Sequence, residues 1–197
     1  LEAPQRGRTG LLSDLLHARS GDKAIIFTDT KAEVDELARE LGALGHAAEA
    51  IHGDLNQSQR ERVLGRFRAG QVSALIGTNV AARGLDIPEV DLVVHYRLPG
   101  DTEAYQHRSG RTGRAGRSGT VILLYSPRER RDVQALERAL SRRFAHTAPP
   151  SPEAVQDAKL ASLLASARRQ GADDKAAWQD VAEHILESRD RDTPARL

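Results

Sequence analysis

The chain has 197 residues, 39% of them hydrophobic, and its 29 basic and 28 acidic side chains leave a formal net charge of +1. That is enough apolar material for one packed domain with an appendage, while no apolar run approaches the roughly 18 residues of a membrane span. Cysteine is absent, which excludes disulfides and thiol chemistry, and methionine is absent even at position 1, so a piece of a longer protein is expected.

In chain order, a helix is expected over Thr9–Ala18. Short apolar runs at Ala24–Thr28, Ala47–Ile51, Ala74–Gly77, Leu92–Tyr96 and Thr120–Tyr125 then alternate with helical stretches. Those stretches are Lys31–Leu44, Ser58–Ala69, Thr102–Ser109 and Pro127–Leu140. Thr30-x-x-Glu33 and Ser126-Pro127-x-Glu129 read as capping boxes, and Asn56 and Asp101 as N-caps. Strands alternating with helices predict an α/β domain, a mostly parallel sheet with helices on both faces. Ligands of such sheets gather at the strand carboxyl ends, where Thr28–Lys31, His52–Asp54, Thr78–Asp86 and the 107–117 segment are all expected. The stretch Ala148-Pro149-Pro150-Ser151-Pro152 ends the pattern and separates a domain at 1–148 from an appendage at 152–189.

The appendage reads as two helices, about Pro152–Arg169 and Asp174–Ser188. In the second, Ala177, Trp178, Val181, Ala182, Ile185 and Leu186 share one face. Two short helices cannot bury such a stripe alone, so it docks on the main domain, on missing sequence, or on another copy. Charge is unevenly spread: residues 105–150 carry ten arginines against three acids, and 151–197 seven basic residues against nine acidic. An anionic partner is therefore expected at the middle of the chain.

Residues 107–114 read His-Arg-Ser-Gly-Arg-Thr-Gly-Arg, with Arg108, Arg111 and Arg114 every third residue and no Asp or Glu from Ala104 to Arg128. Like charges three apart on a helix repel by a few tenths of a kcal/mol per pair. An external anion resolves that repulsion, and guanidinium forks fit phosphate oxygens best. Gly110 and Gly113 let the backbone approach it closely. A solvated basic loop is the plainer alternative and accounts poorly for the regular spacing. Elsewhere the plainer readings are a helix cap for Thr30, a solvated first turn for Gln57 and Arg60, and a cap before Pro88 for Asp86. No metal-ligand spacing occurs.

The octet resembles the last motif of the DEAD-box RNA helicases, and three further motifs follow that family in order. They are Ile25-Ile26-Phe27-Thr28-Asp29-Thr30, His52-Gly53-Asp54 with Gln57-x-x-Arg60, and Thr78-Asn79-Val80-Ala81-Ala82-Arg83-Gly84-Leu85-Asp86-Ile87-Pro88. The resemblance covers about residues 8–145 and implies the second RecA-like domain of an ATP-dependent RNA helicase. It implies that Arg111 and Arg114 are arginine fingers, with His107 and Arg108 linking the site to a partner domain and RNA-sensing loops. Asp86 and Gly84 belong to the implied nucleotide contacts, and Thr30, Gly53, Arg60, Thr78 and Arg108 to RNA contacts. Backbone contacts of that kind carry no sequence information. ATP with Mg²⁺ is the implied cofactor. The metal and the phosphate-binding loop would lie on the first RecA-like domain, because this chain has no Gly-Lys-Ser/Thr loop and its only Asp-Glu pair, Asp35-Glu36, falls mid-helix. The isolated chain is then expected to be inactive.

Two departures from the family pattern are Arg97 and Asn79, each where Asp is usual. Arg97 and the wording of residues 105–108 and 127–133 look similar to the family's bacterial branch of heat-resistant RNA-dependent ATPases, in which a helical dimerisation module follows the core. A homodimer through 152–189, RNA as partner, no membrane and a cytoplasmic location are what these resemblances imply. The rival readings are a DNA helicase domain of the same superfamily and a non-catalytic assembly module built on the Trp178 stripe.

Overall fold

The computed structural model describes residues 1–3, 7–79, 88–113 and 118–170. Its elements are α1 (Arg8–Ala18), β1 (Ala24–Phe27), α2 (Lys31–Ala43), β2 (Ala48–Ile51), α3 (Gln57–Arg68), β3 (Ala74–Gly77), β4 (Leu92–His95), α4 (Thr102–Ser109), β5 (Thr120–Leu123), a 3₁₀ turn (Pro127–Glu129), α5 (Arg130–Ala139) and α6 (Pro152–Gln170). Two compact units result: Leu1–Leu16 with Gly21–Pro149, and the residues from Pro150 onward with His17–Ser20.

In the first unit five parallel strands stand in the order β2-β3-β1-β4-β5, with Ile26 opposite both Ile76 and Val94. The expected parallel sheet with helices on both faces is what forms, because alternate strand residues point to opposite faces and each face is apolar. Ala24, Ile26, Ile76, Leu92 and Val94 pack with Leu12 and Leu15 of α1 and Val34, Leu37 and Leu41 of α2. Ile25, Phe27, Leu75 and Val93 pack on the other face with Leu64 and Phe67 of α3. A third cluster joins Leu123 and Tyr125 to Val133 and Leu136 of α5. At Gly77 a Cβ would lie 2.8 Å from the Ile51 carbonyl oxygen, so the β2–β3 approach requires glycine there.

Local capping departs from expectation at Thr30, while the expected Ser126–Glu129 capping box forms. Thr30 caps α2 by accepting from Glu33 N at 3.2 Å, but the Glu33 carboxylate turns to Thr28 and Arg97 and does not close a capping box. A tertiary cation outcompetes a local amide there. The helix expected from Pro127 starts as a 3₁₀ turn, with Ser126 N donating to Glu129 Oε2 at 2.6 Å. Asn56 forms a full capping box with Gln59, and Asp101 accepts from Ala104 N at 2.7 Å. In the second unit α6 is described through Gln170; the helix expected at Asp174–Ser188, with Trp178, lies outside the described residues.

Candidate functional site

The strand carboxyl ends bring Thr28–Thr30, His52–Asp54, Thr78–Asn79 and Tyr96–Arg97 to one edge of the sheet. Strand order reverses at β1, which β3 and β4 flank, and a crevice opens at such a point. Arg108, from the last turn of α4, reaches into this edge and is only 4% exposed. Its Nε donates to Asn79 Oδ1 at 2.6 Å and its Nη1 to the Arg97 carbonyl at 3.3 Å, while Nη2 pairs with Asp29 at 3.6 Å. The guanidinium also lies over the Phe27 ring, 5.4 Å from its centroid. Burial pulls its pKa below the ordinary arginine range, against the pull of Asp29. One cation thus ties the loops after β1, β3 and β4 together.

A second tie runs alongside. Thr28 is fully buried; its hydroxyl donates to the Glu33 carboxylate and accepts from Asp29 N at 2.7 Å. The other Glu33 oxygen takes Arg97 Nε at 2.6 Å, and that hydrogen bond raises the Arg97 pKa. Arg97, the departure from the family pattern, is therefore committed to a carboxylate of its own chain. Further along the edge, Lys31 pairs with Asp54 and holds its carboxyl below the usual range. His52, 7% exposed, lies 3.0 Å from Asp35 Oδ1. Arg60 Nη2 donates to the Gly53 carbonyl at 3.0 Å. Two contacts from α2 and one from α3 thereby fix the 52–54 loop. Thr30 is exposed on this edge, whereas Thr78 is buried at 8% exposure.

The octet divides. His107 is exposed, 3.6 Å from Glu103 across one helical turn, and Arg108 turns inward to the carboxyl edge. The chain then crosses to the opposite edge. The Arg111 carbonyl accepts from Val90 N at 3.1 Å, and Thr112 Oγ1 donates to the Val90 and Asp91 carbonyls just before β4. The expectation that all of the 107–117 segment sits at the carboxyl ends is thus corrected for Arg111 and Thr112, whose backbone carbonyl and side-chain hydroxyl, respectively, are pinned by groups that precede β4. Arg111 is half-buried. A Cβ on Gly119 would collide with Thr112, so close packing fixes this return. Gly84, Asp86 and Arg114 lie outside the described residues.

Two buried groups escaped the sequence reading. His95, the last residue of β4, is fully buried, 3.2 Å from Ser109 Oγ and stacked on Tyr105 at 5.0 Å. Burial and then the nearby Arg108 push its pKa down to about 3, so the ring is neutral. Arg8, 1% exposed, donates to the Tyr96 carbonyl at 2.8 Å and to Glu129 Oε2 at 3.1 Å. Burial alone would raise the Glu129 carboxyl; hydrogen bonds from Ser126 and Arg8 hold it below its ordinary range. Nothing near position 8 in sequence signals this, since its partners are 88 and 121 residues away. Among the described residues no group of three His, Asp or Glu side chains is placed to hold a metal ion, and no helix is long and apolar enough to cross a membrane.

Residues 7–116 match the helicase conserved C-terminal domain. A chloroplastic DEAD-box ATP-dependent RNA helicase, 3A of Zea mays, is 47% identical over 159 residues, covering 80% of this chain and 21% of the relative. The chain spans about a quarter or less of the length of the curated plant relatives it matches. Among solved structures, the E. coli DEAD-box protein SrmB, bound to regulator of ribonuclease activity A, superposes with a TM-score of 0.68 at 32% identity, covering 76% of this chain and 94% of that one. S. cerevisiae Dbp5 bound to RNA and ADP BeF3 gives 0.70 at 32% identity, covering 80% and 43%.

Proposed function

The chain belongs to the DEAD-box RNA helicases, as their C-terminal RecA-like domain, and from that premise we propose that it supplies one half of a split ATPase site that drives local unwinding of RNA duplexes. Arg111 and Arg114 serve as arginine fingers. They neutralise charge on the terminal phosphoryl oxygens of ATP as that group passes to water, a contribution typically on the order of 10³–10⁵ in rate. Asp86 accepts hydrogen bonds from the ribose hydroxyls, with Gly84 beside it, and His107 faces the partner domain. Mg²⁺ and the phosphate-binding loop belong to the first RecA-like domain. Thr30, Gly53, Arg60 and Thr78 meet the RNA sugar-phosphate backbone. Arg108 acts as a positioning residue: it reaches none of these ligands directly but holds the loops that do.

The observation that supports the RNA-contacting part of this reading is the clamp at the carboxyl edge. A preorganised edge costs little further ordering when nucleotide and RNA arrive, and that is how fixed donors and cations act on developing charge. The relatives' names favour RNA over DNA as the strand acted on. In the full-length protein, Arg111→Ala and Arg114→Ala should each lower RNA-stimulated ATP turnover by about 10³ or more with far-UV circular dichroism unchanged. Near-normal turnover in both variants, or turnover by this chain alone, would overturn the split-site account. Stimulation by DNA equal to that by RNA would move the assignment to the superfamily's DNA branch.

A further inference from the structure

A deep groove of the first unit lies away from the edge described above. It encloses about 1090 Å³, walled by α5 on one side and residues 141–148 on the other, with Leu1, Glu2 and Tyr125 at its floor. Tyr125 follows β5 and Gly53 follows β2, so the groove stands four strand spacings, roughly 19 Å, across the sheet from the proposed RNA contacts at Gly53 and Arg60.

Four arginines line it: Arg130, Arg138, Arg142 and Arg143. The two carboxylates that share the lining are already engaged. Glu2 takes Arg130 at 2.7 Å, and Glu137 Oε1 accepts from Phe144 N at 2.7 Å. Among the described residues no carboxylate pairs with Arg138, Arg142 or Arg143, and all three are exposed. They are also held close together. Ser141 N donates to the Arg138 carbonyl and Arg142 N to the Glu137 carbonyl, which ends α5 and turns the chain so that Arg142 and Arg143 follow directly beside Arg138. His146, exposed on the same wall, is fixed by Tyr125, whose hydroxyl lies 3.2 Å from its Nδ1. Grouped guanidinium forks with an aromatic ring beside them suit a phosphate backbone whose bases can stack. An apolar peptide would leave the three cations without a counter-charge.

We propose that this groove is an accessory site for single-stranded RNA, with Arg138, Arg142 and Arg143 as ligands of consecutive phosphates and His146 as a stacking platform. The proposal rests on the RNA-helicase reading above. It adds a second corner of the same domain to the strand's path, and it gives the surplus arginines of residues 128–143 a role that the octet does not absorb.

The test titrates this chain with a labelled oligouridylate over a salt series. The variant Arg138→Gln/Arg142→Gln/Arg143→Gln should bind on the order of tenfold more weakly. Its dependence of log affinity on log salt should be shallower by about two, as expected for three lost contacts to a single strand. His146→Ala should weaken binding while leaving that slope in place. Arg60→Ala, run in parallel, should add to the triple variant as an independent site. If the triple variant keeps wild-type affinity and slope while Arg60→Ala weakens binding, the accessory site is wrong and the core RNA reading survives. If inorganic tripolyphosphate protects the groove arginines from guanidine-directed modification and RNA does not, the ligand is a free polyphosphate and the proposal fails. If the wild-type chain binds no RNA at any salt, the RNA reading itself falls.

Discussion

Arg108 on α4 and His95 at the end of β4 are both buried and close enough to interact electrostatically, and their protonation divides the work. The arginine keeps its charge because Asp29, Asn79 and a carbonyl replace the water it lost. The histidine has one hydroxyl partner, an aromatic stack and a cation nearby, so its charged form is excluded. The consequence for stability has a definite sign. With the native pKa near 3 and the unfolded value near 6.5, unfolding takes up a proton between those limits. Stability is complete above about pH 6.5 and falls as pH drops toward 3, by up to about 1.4 kcal/mol per unit. Urea unfolding of the wild type and His95→Gln across this range should show that slope in the first and lose it in the second. Parallel curves would mean the ring is accessible in the native state.

Helix ends show how far local chemistry reaches. The helices α2 and α3 close on Gly45 at φ 86° and Gly70 at φ 73°, each with the paired hydrogen bonds of a left-handed C-terminal cap. In α5 the same hydrogen bonds form, but the residue in that conformation is Ser141, at φ 51°. A side chain there costs roughly 1 kcal/mol or more over glycine, offset in part by glycine's greater freedom when unfolded. Ser141→Gly should therefore stabilise the first unit by about 0.5–1 kcal/mol, a rise of a few degrees in Tm; a drop would show that the serine makes a compensating contact. Element by element the sequence was legible because caps and periodicity are local: Asn56 and Asp101 cap as their residue types require, and strand boundaries fall within two residues of the apolar runs. The reading failed where a distant group intervened, as at Glu33, whose carboxylate leaves its own helix for Arg97, 64 residues away.

At the scale of the whole molecule, the chain divides inside the run Pro149–Pro150, and the residues beyond carry the proposed dimerisation module. If that module operates, light scattering should report a dimer for the chain and a monomer once residues 150–197 are removed, with the first unit's circular dichroism retained. An unchanged mass after truncation would refute the assignment. The candidate site shows the same division between local and distant information. Residue types and spacing sufficed for the sequence of strands and helices, the family, and the identity of the cation-rich octet, since each depends on neighbours along the chain. Only the folded arrangement decided that strands lie in the order β2-β3-β1-β4-β5, that Arg108 turns inward while Arg111 is anchored by Val90, and that Arg97 finds Glu33. Those outcomes depend on which loops the sheet brings side by side, and on the cost of leaving a buried charge without a partner, which no stretch of sequence encodes alone.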